Sequence, residues 1–539
     1  MKVQAPRSSG LVRVAVAVGV CALLAGLVWA YERSIAQALS GAFTYCVDDA
    51  YIHLALGRTL GQAGVWGLTP DGFTAASSSI LWTLLLALAP GRELWPLALN
   101  VGCGVGAVCV LAWRLRRAPA LVLGVAGVAL VLLPPLVVMA LVGMEHSLQI
   151  LGALLFLWRF ERTIADGRNE DVDAQVARGA ERRQALELFA LGALVTATRY
   201  EGLFLVAAAF LPLVLRHRVI PALAMGVGAA LPVGIFAAVS MSHGWFPLPN
   251  SVLVKGATHG PVVLRGLAAL RSAPHLWGAL ALLSGLTALL SRAARRFGGT
   301  DRASLALRLT VNVALVTALL HLQFAKLGWF YRYEAWLLAM TIWCAACALG
   351  DHGARLLPSL PESTARLAVA LGLLVCAGPA ISRAVTALST AELAAKNIHD
   401  QQRQMGLFLG SELPGSSVAL NDIGGPSYFG KSHILDLVGL ASIDVVRALR
   451  TNGASQGTLR GLTQEHRVRF ALLHAKLFQG AIPPEWVVAG RWRLPDNLVC
   501  GEDTVTFFGT SAGAAEELAA ALRRFAPRLP EGVEVSVAP

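Results

Sequence analysis

The chain has 539 residues, of which 55% are hydrophobic and 14% are charged, and its mean hydropathy is +0.60. Soluble proteins carry about 25% charged residues, so this composition excludes an ordinary soluble enzyme and indicates a polytopic membrane protein. The net charge of +12 does not indicate a nucleic-acid partner, because basic residues of a membrane chain mark its cytoplasmic loops.

Apolar segments long enough to cross a bilayer, which takes about 20 residues, predict eleven membrane-spanning helices. The first resembles the apolar part of a signal peptide, but more spans follow and we interpret it as an uncleaved helix. Residues 186–216 allow either two helices broken at "TRYEG" or one long tilted helix. The predicted spans are 11–30, 94–113, 118–137, 145–160, 186–199, 201–216, 219–240, 274–292, 304–324, 330–350 and 364–384.

The segment "SSSILWTLLLALAP", residues 77–90, is apolar but shorter than a span. Counting it as a span would put the basic sequence "RLRR" on the wrong side of the membrane. We therefore predict an interfacial or membrane-embedded helix here, within a first external loop of about 31–93.

Lysine and arginine in short loops predict the orientation, because these residues collect on the cytoplasmic side. With the N-terminus in the cytoplasm, the dense basic clusters fall on that side, and eleven spans put the C-terminus outside. The clusters are Arg114 with Arg116 and Arg117, the segment 159–183, Arg216 with Arg218, the segment 291–302, and the region of Arg355.

After residue 385 the long apolar runs give way to short segments. The stretch "SSVALNDIGGPSYFGKSHILDLVGLAS" is typical of a strand, a glycine-rich turn and a second strand. "VRFALLHA" and "DTVTFFG" predict further strands, and "AAEELAAALRRF" predicts an amphipathic helix. The predicted fold is a polytopic α-helical module over residues 1–384, followed by an extracytoplasmic α/β domain over 385–539.

Two adjacent carboxylates, Asp48 and Asp49, follow the first predicted span in "FTYCVDDAYIHLALGRTLGQAG". Acids at a helix N-terminus stabilise the helix through its macrodipole, a role that needs no chemistry. A carboxylate at the membrane surface is also a candidate general base, because partial burial raises its pKa toward neutrality. The residues alone leave both interpretations open.

A series of motifs in chain order resembles the C superfamily of multi-span glycosyltransferases (GT-C), nearest the branch of the mycobacterial arabinofuranosyltransferases. The resemblance covers about residues 11–445 and starts at the acidic pair. Two departures, "DGFTAASSSILW" and Tyr200 where the family has proline, concern the sugar and the acceptor more than the reaction class. The further motifs are "AYIHLALGRTL", "GVWGLTPDGFTAASSSILWTLLLAL", "VGMEHSLQILGALL", "TATRYEGLFLVAAAF", "GWFPLPNSVLVKG", "GWFYRYEAWLLA" and "VALNDIGGPSYFGKSHILDLVGL".

The resemblance implies an enzyme that moves a sugar from a polyprenyl-phosphate donor to a glycan, lipid or protein of the cell envelope. It implies the outer face of the bacterial inner membrane, no bound cofactor, and an acid of the first external loop as catalytic base. We predict Asp48 as the base and Asp49 as a residue that orients it or contacts the acceptor. Carboxylates suit Mg²⁺ or Mn²⁺, but the sequence has no distributed set of acids that requires a metal.

The leaving phosphate needs cations, and few lie on the predicted outer side. We predict Arg332, Lys255 and Arg199 as phosphate ligands, because a charge near the hydrocarbon boundary costs free energy and is a functional candidate. The alternative is that these long side chains reach toward the lipid headgroups.

Eight further residues are predicted to line the sugar or acceptor site, and most of them have a structural alternative. Acids suit helix starts, serines cap helices, and an Asx-turn ends a strand. The resemblance implies that the turn at Asp422 covers the acceptor site. The eight residues are Arg58, His53, Thr74, Ser77, Glu145, Glu201, Asn250 and Asp422.

Two other functions stay open on the sequence. A transporter or flippase would carry charges near the bilayer midplane, whereas the acids here cluster at one face. A non-catalytic membrane scaffold would tolerate the loss of both aspartates.

The eight cysteines have no spacing typical of a metal site. Cys344 and Cys347 are predicted to pack inside an apolar helix. Cys46 and Cys500 both fall on the predicted outer side, where a disulfide that staples the domain to the first loop is allowed.

Overall fold

The structure is a computed structural model that describes residues 10–166, 174–255, 262–296, 301–356 and 362–539. Helices dominate most of the chain, and a six-stranded sheet forms near its end, which confirms the predicted fold class. The helices that precede the sheet are α1 (Gly10–Ala38), α2 (Asp49–Ala63), α3 (Ile80–Ala87), α4 (Trp95–Arg114), α5 (Ala120–Leu132), α6 (Leu136–Val142), α7 (His146–Ala165), α8 (Ala174–Thr198), α9 (Gly202–Leu215), α10 (Val219–Ser242), α11 (Asn250–Lys255), α12 (Val262–Ser272), α13 (Pro274–Arg296), α14 (Arg302–Phe324), α15 (Ala335–Leu356), α16 (Glu362–Ile398) and α17 (Gln404–Glu412).

Helices of membrane-spanning length form the first part of the fold, around a shared apolar core that includes Phe156, Phe160, Trp336 and Trp343. Shorter or more polar helices, α7, α8 and α9, occupy the positions of three other predicted spans, and the predicted span 364–384 falls in α16, where many side chains lie outside the described residues. The count of eleven therefore stays a prediction. Seven segments of the described residues are long and apolar enough to cross a membrane: Gly10–Ala38, Trp95–Arg114, Ala120–Val142, Val219–Ser242, Pro274–Arg295, Arg302–Phe324 and Ala335–Gly353.

The region 186–216 forms two helices, because α8 ends at Thr198 and α9 begins at Gly202. A Cβ atom at Gly202 would overlap the backbone of Val195, so only glycine allows so tight a turn between them. The polar residues of "TRYEG" therefore lie together at a break between helices.

Helix α3 has eight residues and is too short to span a bilayer. It packs closely on α2, since a Cβ atom at Gly57 would lie only 2.6 Å from the Cβ of Leu86. The Oγ of Ser79 accepts a hydrogen bond from the backbone N–H of Trp82 at 3.1 Å and caps the start of α3.

The sheet combines parallel and antiparallel pairing in the order β2-β1-β3-β5-β4-β6. Strands β1, β2 and β3 are parallel, with Ala419 of β1 opposite both Leu435 of β2 and Ala471 of β3, and the other pairs are antiparallel. The strands are β1 (Ser417–Leu420), β2 (His433–Asp436), β3 (Phe470–Leu473), β4 (Val487–Arg493), β5 (Thr504–Gly509) and β6 (Glu534–Val537), and the accompanying helices are α18 (Gly424–Phe429), α19 (Ile443–Asn452), α20 (Gln456–Glu465) and α21 (Ala512–Phe525).

The sheet region joins the helical bundle through one continuous helical path. Helix α16 continues through a π-helical turn, His399–Arg403, directly into α17. The domain boundary predicted at 384/385 thus falls inside α16, while the first strand starts at Ser417.

Candidate active site

The candidate site lies where the carboxyl ends of the parallel strands meet the loop between α1 and α2. Parallel strands end at the same edge of a sheet, so the segments that follow β1, β2 and β3 lie close together. After β1, the backbone N–H groups of Gly424 and Gly425 reach Asp48. After β2, the carbonyl of Gly439 accepts a hydrogen bond of 2.7 Å from Asn250.

Asp48 is bound on both oxygens by the glycine pair. The N–H of Gly424 donates to Oδ2 at 2.8 Å, and the N–H of Gly425 donates to Oδ1 at 2.7 Å. A Cβ atom at Gly424 would lie 2.6 Å from Oδ1 of Asp48, and one at Gly425 would overlap the backbone of Gln402. Both positions therefore require glycine, which the sequence indicated only as a turn.

Burial raises the pKa of Asp48 to about 8, and the nearby charges of Asp422 and, to a smaller extent, Asp49 act in the same direction. The two backbone donors at Gly424 and Gly425 oppose this increase, because they stabilise the ionised form. A carboxylate with a pKa near the working pH is well suited to act as a general base.

Asp49 forms an ion pair with Arg332, through Oδ2 and Nη2. The Arg332 side chain is 0% exposed, whereas that of Asp49 is 20% exposed. The Nε and Nη1 atoms of Arg332 are buried without a hydrogen-bond partner among the described residues. A buried guanidinium with unused donors is suited to bind an anion such as a phosphate.

The backbone just before Arg332 forms a left-handed turn. Gly328, Trp329, Phe330 and Tyr331 have φ angles of 76°, 43°, 53° and 64°. This conformation costs roughly 1–2 kcal/mol for each residue other than glycine. The predicted span at 330–350 accordingly begins later, since α15 starts at Ala335.

A buried cluster around Glu334 holds the left-handed turn in place. Glu334 accepts the N–H of Gly328 at 2.9 Å, lies 3.0 Å from Nη2 of Arg383 and 3.1 Å from Nε2 of His275. Arg383 also donates to the carbonyl of Tyr331. These contacts connect α13, α15 and α16 to the turn and fix the position from which Arg332 extends.

Arg199 lies close to Tyr333 and is engaged by two carboxylates. Its Nη1 donates to Glu145 at 2.6 Å, and its Nη2 and Nε donate to Glu201 at 2.8 Å and 3.2 Å. The Tyr333 ring centre is 5.4 Å from the Arg199 guanidinium and 5.0 Å from that of Arg332. The aromatic ring therefore links the two arginines in one buried cluster.

The start of α7 adds buried polar atoms whose hydrogen-bonding capacity the described residues leave unsatisfied. Glu145, His146 and Ser147 are all 0% exposed. Oε2 of Glu145, both ring nitrogens of His146, Oγ of Ser147 and the side-chain amide of Gln149 form no hydrogen bond of normal geometry with any described residue. Buried polar groups are nearly always hydrogen-bonded, so this cluster is suited to a polar ligand.

His53 joins this cluster from α2. Its Nε2 lies 3.4 Å from Oγ of Ser78 and 3.9 Å from Oε2 of Glu145. Ser78 Oγ also lies 3.3 Å from Oε1 of Glu145. The predicted site residues His53, Glu145, Glu201 and Arg199 are thus brought together.

Other predicted site residues make local structural contacts. Arg58 donates to the carbonyls of Tyr428 at 2.7 Å and Ser427 at 3.0 Å, and so binds the end of α18. Ser77 Oγ donates to the carbonyl of Ser79 at 2.7 Å and supports the start of α3. The Ser77 contact agrees with the helix-capping alternative, whereas Arg58 binds backbone carbonyls at the end of α18.

Asn250 and Thr74 lie at the edge of the site. The N–H of Asn250 donates to the carbonyl of Ala75 at 3.0 Å, which joins the start of α11 to the loop before α3. The N–H of Thr74 donates to the carbonyl of Trp66 at 2.9 Å, while its buried Oγ1 forms no hydrogen bond with the residues that the structure describes.

Asp422 lies close enough to Asp48 to affect its ionisation, and accepts a 2.9 Å hydrogen bond from Nε2 of Gln402. Lys255 ends α11, but its side chain lies outside the described residues. The described residues include no group of three or more His, Cys, Asp or Glu side chains that could hold a metal ion.

The allowed disulfide between Cys46 and Cys500 is not formed, and both are free thiols. Cys46 Sγ lies 3.3 Å from the carbonyl of Ala391, whereas Cys500 Sγ lies 3.4 Å from Oε1 of Gln402. Each thiol thus has its own polar neighbour. The sheet region is held to the first loop by Asp48 and Arg58 instead.

Sequence reasoning missed several residues of the cluster. His146 and Tyr333 directly follow the predicted residues Glu145 and Arg332, so the motifs "MEHS" and "YRYE" contained a usable signal. The sequence signal for Gln402 was weaker, because this residue belongs to the polar run "HDQQRQ" that follows an apolar helix.

The C-terminal region is similar to a known protein family. Residues 396–508 match the model of a family described as Domain of unknown function (DUF8728). No curated protein sequence matches the chain.

Solved structures similar to this fold cover nearly the whole chain. ArnT from Cupriavidus metallidurans, in a crystal structure bound to undecaprenyl phosphate, has a TM-score of 0.53 and 15% identity over 94% of this chain and 98% of that chain. The Archaeoglobus fulgidus oligosaccharyltransferase tethered with an acceptor peptide has a TM-score of 0.50 and 11% identity, over 97% and 75%. The Archaeoglobus fulgidus AglB in complex with an inhibitory peptide and a dolichol-phosphate has the same TM-score of 0.50 and 11% identity, over 92% and 74%.

The likeness to these structures extends over both the helical region and the sheet region of this chain. The resemblance to the arabinofuranosyltransferase branch stays a prediction. ArnT and AglB both belong to the GT-C superfamily, and this chain has the GT-C fold.

Proposed function

We propose that this protein is a glycosyltransferase that moves a sugar from a polyprenyl-phosphate donor to a cell-envelope acceptor. The reaction takes place at the outer face of the bacterial inner membrane, with the N-terminus in the cytoplasm and the sheet region outside. The observation that carries the proposal is Arg332, a buried guanidinium with two unused donor atoms beside the carboxylates Asp48 and Asp49. A bound lipid phosphate would satisfy these donors.

In the proposed reaction, an acceptor hydroxyl attacks the anomeric carbon of the donor sugar. A bond forms between the acceptor oxygen and this carbon, while the bond from the carbon to the phosphate oxygen breaks. Asp48 takes the hydroxyl proton, and polyprenyl phosphate leaves with the electron pair. Asp48 keeps this capacity because a carboxylate has about four acceptor positions, and Gly424 and Gly425 occupy two of them.

Asp49 has a different role in this scheme. Its ion pair with Arg332 orients the guanidinium so that Nε and Nη1 are directed to the phosphate. Arg199 is already engaged by Glu145 and Glu201, so its proposed role is to position these acids. Lys255 is proposed as a second phosphate ligand, in agreement with its place after the "PNSVLV" segment.

The sugar is proposed to bind at the start of α7. Glu145, His146 and Gln149 offer unpaired acceptors and donors there, which sugar hydroxyls could satisfy. The acceptor is proposed to approach past His53, Thr74 and the Asp422 turn.

The comparisons support this class of reaction. The structure of ArnT contains undecaprenyl phosphate, and one AglB structure contains dolichol-phosphate with an inhibitory peptide. A transporter is the second candidate by sequence, but the clustering of acids beside one buried arginine favours transfer chemistry.

The test is transfer of labelled sugar from a panel of polyprenyl-phosphate sugars to envelope extract by the purified protein in proteoliposomes. We expect one donor of the panel to be consumed, with release of polyprenyl phosphate. The matched control is Asp444→Asn, which changes an acid whose side chain is 45% exposed in the same region and should leave transfer unchanged. Flipping of the labelled lipid without any transfer would favour the transporter instead.

The pH dependence of transfer should report the ionisation of Asp48. Because burial raises its pKa to about 8, the base is mainly protonated and inactive below that pH. We expect kcat/KM to rise with pH and to level off above about pH 8, measured between pH 5.5 and 9.5. A profile that levels off already near pH 5 would contradict Asp48 as the base.

A further inference from the structure

The π-helical turn His399–Arg403 directs two glutamines toward the candidate site. A π turn inserts an extra residue into a helix and occurs frequently at functional sites. Gln401 and Gln402 are each 1% exposed, although both are polar. Their buried amides have partners in the segments that follow β1 and β3.

Gln402 uses both N–H groups of its amide. Its Nε2 donates to Oδ2 of Asp422 at 2.9 Å and to Oε1 of Gln401 at 2.9 Å. Gln401 in turn donates to the carbonyl of Glu502 at 3.1 Å. An amide whose two N–H groups both have fixed acceptors is held in one orientation, so the Gln402 amide that binds Asp422 is rigidly placed.

His474 closes the network at the end of β3. Asn421 accepts the N–H of His474 through Oδ1 at 2.8 Å, so its Nδ2 is the donor to Nδ1 of the ring at 3.0 Å. The proton of a neutral His474 is then on Nε2, which lies 3.1 Å from Oε1 of Gln401. The Nε2–H group of this ring therefore orients the side-chain amide of Gln401.

The same short turn carries Asp422 and the glycines that bind Asp48. Gly424 and Gly425 fix both oxygens of Asp48, while Gln402 fixes Asp422 only two residues earlier. A Cβ atom at Gly425 would overlap the backbone of Gln402, so this turn packs tightly between the π turn and the first loop. The relative position of the two carboxylates is thus set by the backbone.

We infer that Asp422 and Gln402 are positioning residues for the transfer reaction. Gln402 fixes Asp422 beside Asp48, and the negative charge of Asp422 makes Asp48 a stronger base. This inference rests on the proposed function. It assigns to residues 396–508, the region that matches the family of unknown function, a direct influence on the membrane-proximal base.

The charges around Asp48 come from several elements. Asp49 of α2 and Asp422 of the β1 turn repel its ionised form, as described above. Arg332, which precedes α15, is paired with Asp49. Cys500 also lies close to Asp48 and Asp422, with its thiol near Gln402. Asp422 forms no described ion pair with Lys or Arg, and the titratable group that faces it is His474, whose Nε2 lies 3.8 Å from Oδ2 of Asp422.

The test compares the pH profiles of kcat/KM for the wild type, Asp422→Asn and Gln402→Leu. Asparagine can still accept the hydrogen bond from Gln402, so Asp422→Asn removes the charge and keeps the shape. We expect its midpoint to fall by on the order of one pH unit from the wild-type value. The variant would be several-fold faster than wild type near pH 6.5 and several-fold slower above pH 9, since a weaker base ionises earlier and accepts protons less readily.

Gln402→Leu releases Asp422 without removing its charge, so we expect a smaller shift in the same direction. Asp444→Asn serves as the charge-matched control and should not move the midpoint. A uniform loss of rate at all pH values in Asp422→Asn, without a shift of the midpoint, would overturn the inference.

A second measurement separates this inference from the proposed function. Infrared difference spectra follow protonated carboxyl groups directly, and the band lost in Asp48→Asn identifies Asp48 without any transfer assay. If its titration midpoint falls in Asp422→Asn, the coupling holds even for a protein that transfers no sugar. If the midpoint is identical in both proteins, the coupling is absent whatever the activity.

Discussion

Asp48→Asn should lower kcat for sugar transfer by about 10²–10⁴-fold, which is the contribution of a general base. The amide cannot accept the hydroxyl proton. It also turns an N–H group toward Gly424 or Gly425, where the carboxylate now accepts two hydrogen bonds. Leaving one such buried donor unpaired costs about 1–3 kcal/mol of stability.

The variant Asp49→Asn distinguishes the roles of the two carboxylates, because Asp49 does not take the proton in the proposed reaction. We expect a smaller effect, mainly on KM for the donor, since the pair with Arg332 orients the phosphate ligand. Both variants are compared at equal folded fraction, judged by thermal unfolding in detergent. A larger loss of kcat in Asp49→Asn than in Asp48→Asn would reverse the two roles.

Arg332→Gln should weaken donor binding by about 2–5 kcal/mol, the usual penalty for removing one partner of a buried, hydrogen-bonded charge pair. This corresponds to a fall in kcat/KM of roughly 30-fold to several thousand-fold. The reason is that Nε and Nη1, which have no hydrogen-bond partner in the described part of the chain, are the proposed phosphate donors. Arg332→Lys should recover only part of the loss, since an ammonium cannot bind in the bidentate manner.

The measurement is the Kd for undecaprenyl phosphate together with KM for the donor. Arg403→Gln is the matched control, because Arg403 is paired with a different acid, Glu93, at 2.7 Å and lies over the ring of Phe429. We expect it to affect stability without a change in Kd. Equal affinity of wild type and Arg332→Gln for the lipid phosphate would exclude Arg332 as its ligand.

The sequence predicted the features that follow from local patterns. Runs of apolar residues gave the long helices, and a short run at 77–90 gave the non-spanning helix α3. The strand, turn and strand around Gly424 and Gly425 also follow from local composition, since glycines mark turns. The fold class was therefore accessible from one sequence, because hydropathy and turn chemistry act over short distances.

Partners that are distant in the sequence were not accessible in this way. The hydrogen bonds of Asp48 connect positions 376 and 377 residues apart. Arg199 was predicted as a phosphate ligand, but nothing in "TATRYEG" shows that Glu145 approaches from another helix. The π turn and the left-handed turn at Gly328–Tyr331 escaped prediction because ordinary residues occupy both, held by tertiary contacts.

The left-handed turn before Arg332 has a consequence for thermal tolerance. Trp329 and Phe330 hold a backbone shape that glycine adopts freely, so glycine at either position relieves roughly 1–2 kcal/mol of local strain. That gain is partly offset by the larger conformational entropy of glycine in the unfolded chain. Glycine in this turn would thus relieve local strain but also loosen the backbone from which Arg332 extends.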